Sequence, residues 1–451
     1  MPDSKKPKVG FVSLGCPKNL VDSEVMLGTL VGKGYSITAH KEDADVIVVN
    51  TCGFIDSAKK ESIDTILEMA QLKTDGNCKK LVVAGCLAER YRSEIRKEIP
   101  EIDFIFGPDE LGRVLEAVRL DDESNVPDVS IDALYTSTEV PTIPRMLTTP
   151  SYMAYLKISE GCDHVCTFCA IPGFRGKFRS RTIEDLVGES RRLAEQGVRE
   201  IIIVSQDTMA YGKDLGIANG ITKLLRELVK VDGLRWVRFL YCYPNMVSDE
   251  LVRLVADEER LCKYFDIPYQ HASRAVLERM LRGGNRDIYE RQVEGIRRWI
   301  PDVGVRTSFI TGFPGETEED FGEVMQFIRN VQFDNVGVFL YSDEEGTAAF
   351  DLDRKVARRT AEKRRNQLMK EQSRISSNKL RQMIGKNIRV LLEGPSAESD
   401  LLLQARMETQ APDIDGHVLI NDTGDKVPLA GEFYQVEITE SLEYDLIGRL
   451  S

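Results

Sequence analysis

The sequence contains no apolar stretch approaching the roughly 20 residues that a bilayer-spanning helix needs, so no membrane association is expected. Its opening, MPDSKKPKVGFVSLGC, enters a strand-like apolar run at once and lacks the layout of an export signal. Nine cysteines lie among 451 residues. Without an export signal they are expected to stay reduced, as metal or catalytic ligands before disulfides, in a cytoplasmic protein. A more telling scarcity surrounds Cys162-x-x-x-Cys166-x-x-Cys169 in the stretch GCDHVCTFC: no fourth cysteine or histidine follows at ligand spacing. A structural zinc site wants four protein ligands and a closed tetrahedron. His164, inside the loop, is the one candidate for a fourth ligand, and it is too close in the chain to close that tetrahedron comfortably.

Three thiolates on one short segment suit a different group. A cubane 4Fe–4S cluster takes one thiolate per iron, so three cysteines leave one iron open for chemistry. An open iron is a catalytic position, and the expectation is an enzyme. The length suggests about three domains. Hydrophobic content of 42% and charged content of 29% are those of a soluble globular chain.

Three further cysteines share a pattern before residue 100. The apolar run Val9–Leu14 ends at Gly15-Cys16, Val46–Val49 leads to Asn50-Thr51-Cys52, and Leu81–Ala84 leads to Gly85-Cys86. Helical stretches at about 21–33, 56–72 and 88–98 separate or follow these runs, which indicates a parallel doubly wound sheet buried on both faces. Ligands of such sheets sit beyond the carboxyl ends of the strands, where each of these cysteines falls. They therefore read either as a second three-cysteine cluster site or as three buried core thiols. Cys78, Cys242 and Cys262 show no such pattern and read as core thiols.

Six apolar runs follow in the middle of the chain, at 154–159, 200–205, 235–241, 264–268, 304–311 and 335–341, with amphipathic stretches between them. This predicts repeated β/α units in a partial barrel, with function at the strands' carboxyl ends. The cysteine loop falls right after the first run. Ser205, Gln206 and Asp207 follow the second, Gln270 and His271 the fourth, Thr311 and Gly312 the fifth. The segment GFPGE, Gly312 to Glu316, reads as a capped helix start or as a close backbone approach to a ligand. Arg175, Lys177, Arg179 and Arg181 form a basic group beside the cysteine loop, either solvated or guiding an anion.

The joints are visible as well. Residues 121–150 hold four prolines and no steady period, a linker. Residues 354–381 read as a long helix with eleven Lys/Arg against two Glu, a solvated face or a contact with nucleic acid or an acidic surface. Residues 385–451 alternate in short runs (IRVLLEG, HVLIN, FYQVEIT), the pattern of a small all-β barrel.

The motifs SLGCPKN, NTCGF, AGCLAER and SEGCDHVCTFC together resemble those of the radical S-adenosylmethionine methylthiotransferase family, and the resemblance covers nearly the whole chain. It implies an N-terminal cluster domain (7–120), a linker (121–150), a radical core (151–378) and a C-terminal TRAM barrel (381–451). It also implies two 4Fe–4S clusters: one on Cys162, Cys166 and Cys169 that binds S-adenosylmethionine and generates an adenosyl radical, and one on Cys16, Cys52 and Cys86 that delivers or carries the inserted sulfur. Phe168, Gln270, Gly312 and Glu316 are then expected to contact S-adenosylmethionine. A low-potential electron donor and a sulfur donor are implied partners.

The substrate is read from the last domain. It contains five Lys/Arg against thirteen Asp/Glu, a net charge of −8. RNA binding rests on phosphate neutralisation, so direct nucleic-acid binding by this barrel is not expected, and a basic partner is. QAPDIDGHVLIND and YQHAS resemble the family branch that methylthiolates the β-carbon of an aspartate in a basic small-subunit ribosomal protein. The alternatives are a methylthiotransferase acting on a modified adenosine of tRNA and a non-catalytic zinc–RNA-binding protein.

Overall fold

The computed structural model describes residues 6–120 and 145–451. Most of the expected linker, 121–144, lies outside the described residues.

The first part is a five-stranded parallel sheet of β1 (Lys8–Ser13), β2 (Ser36–Thr38), β3 (Val46–Thr51), β4 (Lys80–Gly85) and β5 (Phe104–Phe106), in the order β2-β1-β3-β4-β5. Its central strands are buried on both faces because alternate residues feed two separate cores. Val46, Val48 and Val82 pack with Met26 and Leu30 of the helix Pro17–Gly32. Ile47, Val49 and Val83 pack with Ile66 and Met69 of the helix Asp56–Asp75. Two helix boundaries differ from expectation. The first helix begins at Pro17, whose fixed φ suits a first turn, several residues earlier than its apolar period suggested. The stretch expected as one helix at 88–98 is two, Cys86–Arg90 and Arg92–Glu98, parted at Tyr91.

The middle part contains six parallel strands: β6 (Met153–Lys157), β9 (Glu200–Val204), β10 (Trp236–Phe239), β11 (Tyr264–Asp266), β12 (Gly304–Thr311) and β13 (Asn335–Leu340). They form two ladders, β6-β9-β10 and β11-β12-β13, joined by a bridge between Val237 and Leu261. A short antiparallel pair, β7 (Ser159–Glu160) with β8 (Arg179–Ser180), closes the base of the cysteine loop. The expected partial β/α barrel is present, and the helix Arg358–Arg381 covers β13 and its neighbours.

The C-terminal part is a closed five-stranded barrel of β14 (Asn387–Pro395), β15 (Leu403–Met407), β16 (Val418–Asp422), β17 (Phe433–Ser441) and β18 (Leu446–Leu450). Sequence patterning had picked out β14, β16 and β17 and missed the other two. In β15 a fully buried Arg406 interrupts the apolar alternation, and in β18 Gly448 replaces a side chain because Val436 packs into its place.

All three parts meet at one apolar cluster, with Val21 from the first, Tyr152, Met153 and Trp236 from the second, and Leu391 and Ala411 from the third. Charges reinforce the seam. Glu200 accepts from Arg238 Nε at 2.8 Å and from Arg406 Nη2 at 2.6 Å, and all three side chains are fully buried. Burial alone would raise the Glu200 carboxyl, but the two guanidiniums outweigh it and hold it below the usual range. Removing one partner of a buried ion pair leaves uncompensated charge and costs about 3–5 kcal/mol. Glu200→Ala is therefore expected to lower stability by about that amount and to release the barrel, read as a lower urea midpoint and protease cleavage near residue 384; an unchanged midpoint contradicts the role of this seam.

Candidate active site

Each N-terminal cysteine sits where a strand hands over to the next element. Cys16 is the N-cap of the helix Pro17–Gly32, Cys52 follows β3 directly, and Cys86 opens a helix straight after β4. The backbone around them is close enough to demand glycine. A Cβ on Gly15, φ +92°, would stand 3.1 Å from Cys52 Sγ, and one on Gly53 would stand 2.8 Å from Leu87 Cα. The edge is held by Asn19, which donates to Leu14 O and Thr51 O at 2.9 Å each and receives at its backbone oxygen from Asn50. The structure thus brings the three sequence-distant thiols together. Cys78, Cys242 and Cys262 lie buried elsewhere, as expected of core thiols.

The thiols differ in acidity. Burial pushes Cys16 up, but Lys18, Arg175 and the backbone N–H groups of Asn19 and Lys18 outweigh it and leave it below its ordinary value. Burial pushes Cys86 up to about 12 in spite of Arg175. It also raises Cys52, with only partial relief from the Phe54 N–H. In the second loop, burial pushes Cys162 up to about 11 and Cys169 to about 12.

That second loop lies beyond β7. Thr167 pins it, donating from N to Met280 O at 3.1 Å and from Oγ1 to Arg279 O at 2.9 Å. Arg282 Nη1 donates to Cys166 Sγ at 3.5 Å and lies 4.4 Å over the Tyr243 ring. His164 stacks on the same ring at 3.9 Å, and its Nε2 meets Asp207 Oδ2 at 2.6 Å. His164 is therefore engaged away from the thiols. Among the described residues no three His, Cys, Asp or Glu side chains converge on a single metal ion. A cubane, by contrast, takes its thiolates spread around four irons, and N–H donors to sulfur are among the features that tune such clusters. The all-thiol donor sets and the guanidinium donors fit iron–sulfur groups.

The basic group after the loop was read as solvated or anion-guiding; the structure leaves only Lys177 solvated and pairs the three arginines internally. Arg175 is buried between the two cysteine sets. Its Nε donates to Cys86 Sγ at 3.2 Å, its Nη2 to Asn19 Oδ1 at 2.7 Å, and its Nη1 to Asp22 and Glu160 at 3.0–3.1 Å. Lys157 donates to the same two carboxylates. Burial raises Glu160, yet Arg175 and Lys157 prevail and hold it well below the carboxylate range. Arg181 pairs with Asp185 and Glu189, Arg179 with Asp109, and Lys177 alone of the four is exposed.

The expected cosubstrate contacts are distributed unevenly. Phe168 is partly buried against the barrel core. Gln270 lies just past β11 with φ +69°, a strained value for a residue with a side chain. Beside it His271 is fully buried, with Nε2 unpartnered and 3.9 Å from Glu316 Oε1, and Gln206 Oε1 is likewise buried without a partner. Unsatisfied polar atoms at the carboxyl ends of barrel strands fit a polar ligand there. The glycines of GFPGE serve packing. A Cβ on Gly312 would meet Ala361 at 2.4 Å, and one on Gly315 would strike the Arg279 guanidinium. Glu316 precedes the helix Glu318–Val331 rather than opening it; its Oε2 accepts from the Gly312 and Phe313 N–H groups.

Residues 8–107 match the family described as "Uncharacterized protein family UPF0004", 156–328 the radical SAM superfamily and 384–450 the TRAM domain. A ribosomal protein uS12 methylthiotransferase RimO from Solibacter usitatus is 52% identical over 98% of this chain and 94% of that protein. The RimO of Koribacter versatilis is 49% identical over 100% and 97%. The chain belongs to the RimO family of radical S-adenosylmethionine methylthiotransferases. It is an enzyme of the transferase class, and its cofactors are 4Fe–4S clusters and S-adenosylmethionine. Among solved structures, the radical S-adenosylmethionine methyltransferase TsrM of Kitasatospora setae shares the fold, with a TM-score of 0.53, 16% identity and coverage of 74% of this chain and 72% of that one.

Lys18, Asn19 and Arg282 were missed as functional candidates, and Arg175 was noticed only as part of a basic group, without its thiol contact. Lys18 and Asn19 stand two and three residues after Cys16, on the helix turn facing the strand ends, and that offset was a usable signal. The thiol differences give a direct test, since the thiolate is the reactive form. In metal-free protein, Cys16 is expected to alkylate ahead of Cys52 and Cys86, while Cys86, at about 12, stays nearly inert from about pH 7 to 9. Mass-mapped iodoacetamide labelling reads the order; equal rates at Cys16 and Cys86 contradict the electrostatic account.

Proposed function

We propose that this enzyme adds a methylthio group to the β-carbon of an aspartate in ribosomal protein uS12. Cys162, Cys166 and Cys169 hold the cluster that takes S-adenosylmethionine, and Cys16, Cys52 and Cys86 hold the cluster associated with the inserted sulfur. The observation that carries this reading is the tie between the two cysteine sets: Arg175, six residues past Cys169, hydrogen-bonds Cys86 Sγ. A reaction that both breaks a C–H bond and inserts sulfur needs the two sets at one workplace. The relatives' shared name supplies the substrate class.

The bound groups supply one-electron cleavage of the sulfonium and transfer of methylthio sulfur; the rest is the chain's own work. Arg282 donates to a loop thiolate and Arg175 to an N-terminal one, which offsets the negative charge of three thiolates in a buried place. The Lys157–Asp22–Glu160–Arg175 set fixes the wall between them. His271 and Gln206 offer buried polar atoms to the cosubstrate, and Gln270 is aimed by its strained backbone. Phe168 shields the loop from the barrel side. Gly312 and Glu316 act by shaping the turn after β12.

A low-potential electron donor and a sulfur donor complete the reaction. A ribosomal substrate sets the enzyme's workplace in the cytoplasm; among the described residues no helix is long and apolar enough to cross a membrane.

The barrel's charge supports a basic protein partner less strongly than composition suggested. Eight of its thirteen acids and four of its five cations are exposed. Asp415 is spent on the Tyr264 hydroxyl at 2.6 Å and Glu393 on Arg406. The barrel's outward surface remains negative and offers little to the phosphates of a tRNA substrate.

Anaerobically reconstituted enzyme, reductant and S-adenosylmethionine should be offered uS12 and bulk tRNA in parallel. One added methylthio group on a uS12 aspartate is the expected mass-spectrometric result, and modification of a tRNA adenosine contradicts it. Cys162→Ala is expected to abolish all cleavage of S-adenosylmethionine. Cys52→Ala should keep uncoupled cleavage and lose sulfur insertion; insertion retained in that variant removes the N-terminal set from the mechanism.

A further inference from the structure

The long helix Arg358–Arg381 has a face that the proposed reaction does not use. Ala361, Leu368, Gln372 and Ile375 are buried on one side, and Arg364 and Lys379 pair inward with Glu316 and Asp334. At about 100° per residue, Arg359, Lys363, Lys370, Arg374 and Arg381 fall within about 60° of arc on the opposite side. With a rise of about 1.5 Å per residue, they form a straight row about 33 Å long. All five are exposed. Arg374 shares Glu371 at 2.7 Å, and the other four have no acidic partner among the described residues. The residues interleaved on that face, Asn366, Ser373 and Ser377, are neutral and polar.

This is not how a merely solvated helix is built. Such helices intersperse signs for i,i+4 support, whereas like charges four apart, as in Arg359/Lys363 and Lys370/Arg374, weaken the helix. The row stands on a chain whose net charge is −13, so it is a local concentration of positive charge on an acidic protein. Protein interfaces centre on apolar and aromatic anchors, and this face has none. Phosphate contacts need only cations and polar donors.

We propose that this row docks the phosphate backbone of structured RNA. The inference rests on the uS12 reading and deepens it: the substrate protein is presented while seated on RNA. The helix runs into the barrel, where Gly385 N donates to Ile438 O of β17 at 2.8 Å. A basic row and an acidic barrel thereby adjoin, matching a basic protein lying against RNA.

The test uses the full chain and the variant R359Q/K363Q/K370Q/R381Q, whose four exposed sites leave the fold intact, checked by thermal unfolding. Binding of a fluorescent RNA duplex is followed by anisotropy across a salt series. The variant is expected to bind about tenfold or more weakly, with a log–log salt slope shallower by about four, roughly one per lost phosphate contact. Methylthiolation of free uS12 should be equal in the two proteins, while that of uS12 within the small ribosomal subunit should fall in the variant. Equal RNA affinity overturns the proposal, as does polyglutamate competing as well as RNA, or equal modification of the subunit. Wild-type enzyme that modifies neither form of uS12, with RNA binding still lost in the variant, overturns the uS12 reading and upholds the row as an RNA site.

Discussion

Two cations and two carboxylates are buried together where the N-terminal sheet meets the barrel: Lys157, Arg175, Asp22 and Glu160, each nearly inaccessible. Charges so placed are tolerated only when paired and hydrogen-bonded on every side. Arg175 meets that requirement with its planar fork, which reaches both carboxylates, Asn19 and Cys86 from one position. Lysine could not do so, since it lacks the fork. This one residue links the two cysteine sets directly. It leaves the loop of Cys169 and ends beside Cys86, so neither set can shift without breaking a buried ion pair.

The remaining interfaces serve the same rigidity. Arg145 ties Glu24 of the first part to Glu189 of the second. On the far side Glu344, after β13, takes Lys59 and Arg90 from the N-terminal helices. The Glu200 seam anchors the small barrel. A radical formed in such a region must meet one C–H bond and little else, and fixed walls serve that selectivity better than mobile ones.

Much of this was legible in the chain because strand ends are legible. Once Val46–Val49 and Leu81–Ala84 are recognised as buried parallel strands, the positions of Cys52 and Cys86 on one edge follow. The role of Arg175 was illegible for a physical reason: two of its partners stand 89 residues away at Cys86 and 156 away at Asn19, and only the tertiary fold joins them. GFPGE shows the complementary limit. Its glycines were read as a close approach to a ligand, whereas the groups that approach them are Ala361 and Arg279 of the chain itself. The barrel's composition likewise exaggerated its outward charge, because Asp415 and Glu393 face inward to partners that no local pattern reveals.

The central claim is that two iron–sulfur clusters face one another across the Arg175 wall. Electron paramagnetic resonance of the fully reconstituted, reduced enzyme tests it most directly. The account predicts a magnetic interaction between two reduced 4Fe–4S clusters, replaced in Cys52→Ala by the simple spectrum of one isolated cluster. A wild-type spectrum of two non-interacting clusters, or of one cluster only, would contradict it.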